Sequence, residues 1–302
     1  MNMKFPIRKR VITAIAASVL IFSACGGGGS ESADTTSPEQ SLKIVSLSPT
    51  ATEMLYAIGA GDQVVAVDSL STYPAEVAPK VTKISAYEPS AEAILSYEPD
   101  VVLISNDMNK ITEQLTGANA KIQVWTGAAA TSLEDVYKQI TELGALTGHE
   151  TGASDLVKSM KTRIDAAVPD VMPTNAFSVY YELDNTFYSV TSNTFVGALM
   201  KQFGLVSIAD GVEKGNDYPQ LNAEAIVKAN PAIIFLADTK CCQQDAKTVS
   251  ARAGWSGIQA VTDGNVVELD DDIASRWGPR VVDLIEQFGK AHSEMLAKNA
   301  KK

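Results

Sequence analysis

Residues that bind metal ions are scarce in this chain. Among its 302 residues there are only two His and three Cys. Structural zinc sites need four Cys or His ligands, and transition-metal sites draw heavily on His. The composition therefore argues against a zinc scaffold and against a carrier of free metal ions. We expect no resident metal and no intrinsic cofactor.

Basic residues are outnumbered by acidic ones. The chain has 25 Lys and Arg against 36 Asp and Glu, which gives a formal net charge of −11. Such a charge repels a phosphate backbone, so nucleic acid is not an expected partner. A hydrophobic content of 45 % with 20 % charged residues is ordinary for a globular protein. It excludes a disordered, collagen-like or coiled-coil protein.

Long apolar runs are also absent. The clearest uncharged stretch, residues 11–24, follows a basic segment that includes Lys4 and Arg8, and its 14 residues fall short of the roughly 20 that span a bilayer. We interpret residues 1–24 as a signal peptide. No later segment approaches 18 consecutive apolar residues, so any membrane attachment would depend on a lipid anchor alone.

The end of this segment predicts lipidation at Cys25. Phe22-Ser23-Ala24-Cys25 followed by Gly26 resembles the bacterial lipobox, although Phe22 replaces the usual Leu. The alternative is ordinary secretory cleavage near Ala24. Residues 25–41 are rich in Gly, Ser, Thr and acids, which is typical of a flexible tether. We therefore expect an extracytoplasmic, lipid-anchored monomer, at the cell surface or in a periplasm.

The body of the chain has the pattern of an α/β protein in two halves. Short β-branched runs alternate with helical periodicity over residues 42–149 and again over 169–302. Between them, Leu156, Met160, Ile164 and Val168 recur at four-residue spacing. This predicts one long helix over 150–168. The fold predicted is two Rossmann-like lobes with central, mostly parallel sheets, joined by that helix.

The two halves contain a weak internal repeat. Residues 88–102 and 221–234 each place Ala-Glu-Ala-Ile at the start of a short helix, followed by Pro and an apolar strand. Either the lobes correspond structurally or similar αβ units have converged. If they correspond, Glu92 and Glu224 occupy equivalent positions.

Three segments carry a resemblance to a known family. They are Val45 to Glu53, Glu88 to Asp100, and Ala274-Ser275-Arg276-Trp277-Gly278-Pro279-Arg280. Taken with the lipobox, they resemble the solute-binding lipoproteins of ABC importers for cobalamin, haem and ferric siderophores. The resemblance implies a ligand cleft between two lobes with little hinge motion, and no catalytic activity. It also implies that Glu92 and Glu224 dock against Arg residues of the permease dimer; the alternative is that each only offsets a helix dipole.

Candidate ligand-binding residues follow the predicted strands, because parallel sheets bind ligands at their carboxyl ends. Tyr offers a broad apolar face with a polar tip, although each Tyr alone is equally suited to packing. In the loop before the last helix, Trp277 suits stacking and the Arg residues suit an anionic group. The Arg residues have an alternative role, pairing with Asp270, Asp271 and Asp272. The predicted ligand-binding set is Tyr73, Tyr87, Tyr181, Tyr218, Arg276, Trp277 and Arg280.

Cys241 and Cys242 are adjacent in a loop of the second half. In an oxidising compartment they are candidates for a vicinal disulfide. Two free thiols or a soft-metal pair are the alternatives.

The ligand expected is a corrinoid such as cobalamin, ahead of a ferric siderophore, because the candidate cleft is rich in Tyr and has cations in one loop only. Haem ranks third, since His149 and His292 are expected on surface helices. Two other classes compete with a binding protein: a two-lobed chelatase-like enzyme and a structural lipoprotein. The chain has no nucleophile elbow, P-loop or dinucleotide fingerprint, which argues against an enzyme.

Overall fold

The computed structural model describes residues 41–169 and 176–300. The predictions for the signal peptide, for Cys25 and for nearly all of the tether therefore lie outside the described residues. Within the described part, no helix is both long and apolar enough to span a bilayer.

Eight strands and eleven α-helices form the described body. The strands are β1 Ile44–Leu47, β2 Val64–Val67, β3 Val101–Ile104, β4 Gln123–Thr126, β5 Phe177–Glu182, β6 Leu205–Ser207, β7 Ile233–Leu236 and β8 Val266–Glu268. The helices are α1 Pro49–Ala57, α2 Ala91–Leu95, α3 Ile111–Ala118, α4 Leu133–Thr147, α5 Glu150–Ala167, α6 Phe195–Lys201, α7 Ala223–Ala229, α8 Ala246–Ser250, α9 Gln259–Thr262, α10 Asp271–Ala274 and α11 Val281–Asn299.

The first lobe is built on a parallel sheet with strand order β2-β1-β3-β4. The central strands β1 and β3 pair in register from Ile44 opposite Val101 to Leu47 opposite Ile104. Every residue of both strands is buried. Their β-branched, apolar sequences suit a strand that is covered on both faces, which is why these short runs form the middle of the sheet.

The second lobe repeats this plan. Its four strands are again parallel, in the order β6-β5-β7-β8. The short helices α2 and α7, which carry the internal repeat, precede β3 and β7, and these strands hold the same position in their sheets. The two lobes therefore correspond, and the α/β fold with two parallel sheets is confirmed.

Helix α5 connects the lobes and packs on both. Its apolar residues Ala153, Met160 and Ile164 are buried, and it ends at Ala167, one residue before the predicted limit. In lobe one it lies so close to α1 that a Cβ on Gly152 would stand 2.1 Å from the carbonyl oxygen of Ile58. Only glycine fits at this contact.

On the other side, α5 is tied to α11 of lobe two. The Arg163 guanidinium donates to Glu286 at 2.9 and 2.8 Å and to Asp283 at 2.6 Å. One continuous cluster of buried apolar residues also runs from the sheet of lobe one through α5 to the sheet of lobe two. The connecting helix therefore shares its apolar core with both lobes.

Candidate functional site

Lobe one has an open crevice where its strand order reverses. Strands β2 and β3 lie on opposite sides of β1, so the chain leaves β1 and β3 in opposite directions. The gap between the loops that follow these two strands is the usual position of a ligand site in such sheets. Ser48 follows β1 and caps α1 by accepting from the amide of Ala51 at 3.2 Å. Ser105 follows β3 and donates its hydroxyl to that of Ser48 at 2.8 Å. These two hydroxyls lie beside the cleft between the lobes.

The cleft contains a cavity of about 440 Å³ above this crevice. Lobe one contributes the ends of β1 and β3 and an apolar rim that includes Leu70, Tyr87 and Met108. Lobe two contributes Arg276 and Trp277 from the loop before α11. A second cavity of about 230 Å³ is lined by mainly apolar residues of both lobes and by Tyr218. Arg276 and Trp277 line both cavities.

Both Arg residues of this loop are held by a buried carboxylate of the opposite lobe. Glu53 lies on α1, and its side chain is 2 % exposed. Arg276 Nη1 donates to Glu53 Oε1 at 3.0 Å. Arg280 donates through Nε to Oε2 at 2.9 Å and through Nη2 to Oε1 at 2.6 Å. We call these three residues the interlobe clasp.

The clasp has further partners on each side. Arg276 Nη2 reaches Asp272 Oδ1 at 2.7 Å and the carbonyl of Leu70 at 3.3 Å. The Arg280 guanidinium carbon lies 3.9 Å from the centre of the Tyr73 ring, which is cation–π geometry. The hydrogen bonds that Arg280 donates to Glu53 raise the pKa of Arg280 further above its ordinary value. Both cations are therefore committed to partners within the protein.

Asp68 positions the turn that meets Arg276. It is fully buried, and its Oδ1 accepts from the amides of Leu70 at 3.1 Å and Ser71 at 2.7 Å. Burial raises the pKa of its carboxyl, against the opposing effects of these hydrogen bonds and of nearby Arg276. The turn thereby presents the Leu70 carbonyl to the clasp.

Of the four predicted Tyr residues, two line the cavities, one packs against Arg280 and lines neither cavity, and one lies in the core. Tyr87 lines the larger cavity and is 68 % exposed, while Tyr218 lines the smaller one and is 54 % exposed. Tyr73 is 44 % exposed but is covered on one face by Arg280. The prediction for Tyr181 is wrong: it is fully buried, and its hydroxyl donates to the carbonyl of Ala274 at 3.1 Å. It supports α10 from below and does not reach the cleft.

The Arg residues also depart from what we expected. The proposed alternative, pairing with the three Asp, holds only for Arg276 with Asp272. Asp270 and Asp272 instead bind Lys240 Nζ at 2.8 and 2.9 Å. Arg280 faces Glu53 and Tyr73 and lines neither cavity. Direct ligand contact therefore remains a prediction for Arg276 and Trp277, whereas Arg280 is an internal partner of the clasp.

The structure also bears on the cysteines and on His292. Cys241 and Cys242 are free thiols in this structure, which is one of the alternatives that the sequence leaves open. The amide of Cys241 donates to Asp271 Oδ2 at 2.8 Å and that of Cys242 to the carbonyl of Asp238 at 3.2 Å, which fixes the loop without the strained ring. His292 is buried, not solvated: it packs between the rings of Phe177 and Phe203 at centroid distances of 5.9 and 6.4 Å.

Glu92 and Glu224 occupy matching sites on the two lobes. Each is exposed in the first turn of its short helix. Ser90 and Asn222 cap these helices by accepting from the amides of Ala93 at 3.3 Å and Ala225 at 2.8 Å. Neither Glu forms an ion pair with another described residue, so both carboxylates are available to a partner.

Lobe two has buried charged groups at its own point of strand reversal. Glu182 at the end of β5 is fully buried and receives a bidentate pair of hydrogen bonds from Arg252, both 2.6 Å. The Arg252 guanidinium lies 4.5 Å above the Trp255 ring. Asp238, just after β7, is buried beside Glu182, and burial together with the Glu182 charge raises its pKa to about 7. Glu182 and Asp238 thus lie at the carboxyl ends of β5 and β7, the position that Ser48 and Ser105 hold in lobe one.

Sequence reasoning missed Glu53 and the Glu182–Arg252 pair. Glu53 lies inside the Val45–Glu53 segment that carries the family resemblance. The sequence signal that could have revealed it is a lone acidic residue, next to Met54 and Leu55, on the apolar face of a predicted helix. A carboxylate in that position requires a buried cationic partner.

Comparison with known proteins agrees with this architecture. A model of the periplasmic binding protein family matches residues 44–273. The chain is 34 % identical over 265 residues to the uncharacterized ABC transporter substrate-binding lipoprotein YvrC of Bacillus subtilis, covering 85 % of this chain and 82 % of that one. It is 31 % identical over 259 residues to a cobalamin-binding protein of Halobacterium salinarum, covering 82 % of this chain and 69 % of that one.

Solved structures share the fold. The periplasmic vitamin B12-binding protein of Vibrio cholerae superposes with a TM-score of 0.69 at 22 % identity, covering 83 % of this chain and 96 % of that one. The periplasmic haem-binding protein of the same species superposes with a TM-score of 0.72 at 21 % identity, covering 82 % of this chain and 98 % of that one. The chain belongs to the periplasmic binding protein family. It is the substrate-binding component of an ABC transporter and not an enzyme.

Proposed function

We propose that this protein captures a corrinoid such as cobalamin outside the cytoplasmic membrane and delivers it to an ABC permease. The observation that carries the proposal is the cleft itself: exposed Tyr87 and half-buried Trp277 face a cavity whose cationic residue, Arg276, is already paired. A large, flat ligand without net negative charge suits aromatic faces of this kind. The name of the relative from Halobacterium salinarum supports the same ligand class.

Ferric siderophores and haem are the competing ligands. An anionic ferric chelate calls for cations that are free to bind it, and the two Arg residues near this cleft bind Glu53 instead. Haem gains from an axial His, but neither cavity is lined by one among the residues that the structure describes. Both ligands therefore rank below a corrinoid.

The proposal is tested by purifying the protein from its own host and recording its visible spectrum and native mass. We expect a bound corrinoid, or, if the protein emerges empty, saturable one-to-one binding of cyanocobalamin by calorimetry. A haem or ferric-chelate spectrum, or the absence of corrinoid binding, would contradict the proposal.

Docking to the permease is assigned to Glu92 and Glu224. They lie on equivalent short helices of the two lobes and outside both cavities. Two exposed carboxylates, one on each lobe, would orient the protein on a pair of cationic sites and speed the encounter more than they would tighten it.

Reversing both charges, Glu92→Lys with Glu224→Lys, is expected to abolish uptake while cyanocobalamin affinity stays within about threefold. The matched control reverses one exposed acid per lobe elsewhere, Glu113→Lys with Glu294→Lys, and should leave uptake near normal. If the first variant loses binding, or if both variants lose uptake equally, the docking assignment is wrong.

Lipid anchoring at Cys25 is the last part of the proposal. The lipobox-like sequence and the composition of residues 25–41 support it. Cys25→Ser should release the protein from the membrane fraction into the soluble fraction. A variant that still sediments with membranes and is extracted only by detergent would contradict it.

A further inference from the structure

The cleft has acidic residues on its walls but few cations. Among the described residues that line the two cavities, Arg276 is the one cationic residue, whereas Asp68 and Asp272 both line the larger cavity. Arg280, the next cation along the chain, lies behind the wall and lines neither. Any electrostatic attraction for an anionic ligand would therefore have to come from Arg276.

Three of the five N–H donors of Arg276 are already in use. Nη1 binds Glu53, while Nη2 binds Asp272 and the carbonyl of Leu70. An incoming anion would either displace one of the two carboxylates or share the guanidinium, whose charge is already offset by both. Taking Arg276 from Glu53 would leave a buried carboxylate with Arg280 as its remaining cation, and burying an incompletely paired charge is costly. Taking it from Asp272 would place that carboxylate next to the anion.

Glu53 therefore acts on the ligand without touching it. We propose that Glu53, by holding Arg276 and Arg280, is a specificity-determining residue that withholds the cleft's cations from the ligand, so that the site accepts metal complexes without net negative charge and rejects anionic ones. The inference rests on the proposed function in one respect only, namely that the ligand is a metal complex bound in this cleft. Asp272 has a lesser share of the same role.

The test uses the full-length protein in detergent and three probes: neutral cyanocobalamin, haemin with its two propionates, and an iron(III) tricatecholate of net charge −3. We expect the wild type to bind cyanocobalamin at least 100-fold more tightly than either anion. Glu53→Gln removes the carboxylate that both Arg residues share and should raise affinity for the anionic probes at least tenfold, through Arg276. Asp272 is partly exposed, so Asp272→Asn is a milder change. It should raise affinity for the anionic probes severalfold even if Glu53→Gln is poorly folded.

Asp270→Asn is the matched control. It removes one charge from the same acidic segment, but Asp270 binds Lys240 and caps α10 without contacting Arg276. Asn also caps helices well. Anion affinity should stay within about twofold, which separates release of Arg276 from a general change in charge.

The outcomes are distinct for the two claims. A wild type that binds an anionic probe as tightly as cyanocobalamin, or variants at Glu53 and Asp272 that gain no anion affinity, would overturn the inference. If the wild type binds none of the three probes but both variants acquire anion binding, the corrinoid proposal fails and the role of Glu53 is upheld. If neither the wild type nor the variants bind any probe, both fail.

Discussion

The two lobes share one topology but differ where each strand order reverses. In lobe one this point has two small hydroxyls, Ser48 and Ser105, beneath an open cavity of about 440 Å³. In lobe two it has a buried ion pair, Glu182 with Arg252, and a buried acid, Asp238. The same strand order thus places small hydroxyls beside a cavity in one lobe and buried charged groups in the other.

The largest expected effect comes from breaking the ion pair of lobe two. Arg252→Met leaves Glu182 buried without its cation and should lower the free energy of unfolding by about 3 to 5 kcal/mol. Urea unfolding measures the loss. Arg163→Met is the control, because that residue also pairs with two acids but its side chain is 45 % exposed, and exposed pairs contribute about 0 to 1 kcal/mol. Equal losses in the two variants would show that burial does not set the difference.

The next effect is on ligand binding and concerns the loop that lines both cavities. Trp277→Ala should weaken cyanocobalamin binding by about 1 to 3 kcal/mol, since it removes an aromatic face from the cleft. Trp255→Phe, a change at a fully buried ring of lobe two, should lower stability and leave affinity within about twofold. Calorimetry measures the cyanocobalamin affinity and the melting temperature of both variants. Unchanged affinity in Trp277→Ala with a lowered melting temperature would make Trp277 a packing residue.

A third effect, whose size depends on the pH interval compared, appears in the pH dependence of stability. The pKa of Asp238 is raised to about 7 by burial and by Glu182, so between roughly pH 4 and pH 7 the folded protein holds a proton that the unfolded chain has released. Raising the pH through this range therefore favours unfolding, by up to about 1.4 kcal/mol per pH unit.

Asp238→Asn removes this titration. The wild type should lose stability relative to the variant as the pH rises from 5 to 7, and the difference should level off above pH 7.5. Comparing the two proteins cancels the contributions of other groups, such as buried His292. A difference that is independent of pH would show that Asp238 is ionised throughout.

Much of the fold follows from local sequence patterns. The β-branched runs, the four-residue spacing in α5 and the repeated Ala-Glu-Ala-Ile segments are each readable over about fifteen residues, and the lobes correspond as the repeat predicts. The candidate site can be predicted only in part from local sequence. Arg276 and Glu53 are 223 positions apart, so their pairing depends on tertiary packing that no local pattern records.

Tyr181 shows a second limit. Side chains alternate between the two faces of a strand, but β5 is covered on both faces, and Tyr180 and Tyr181 are both fully buried. Its position at the carboxyl end of a strand was correctly predicted from the sequence. The direction of the side chain depends on the register with which the sheet meets α10 and α11.

The central claim is that the ligand occupies the crevice of lobe one against the Arg276–Trp277 loop. Hydrogen exchange of the full-length protein with and without cyanocobalamin tests it most directly. We predict added protection in residues 68–73, 85–89, 105–108 and 275–277, with little change in 182–189 and 238–252. Protection concentrated in the lobe-two segments, with none in the lobe-one loops, would contradict the claim.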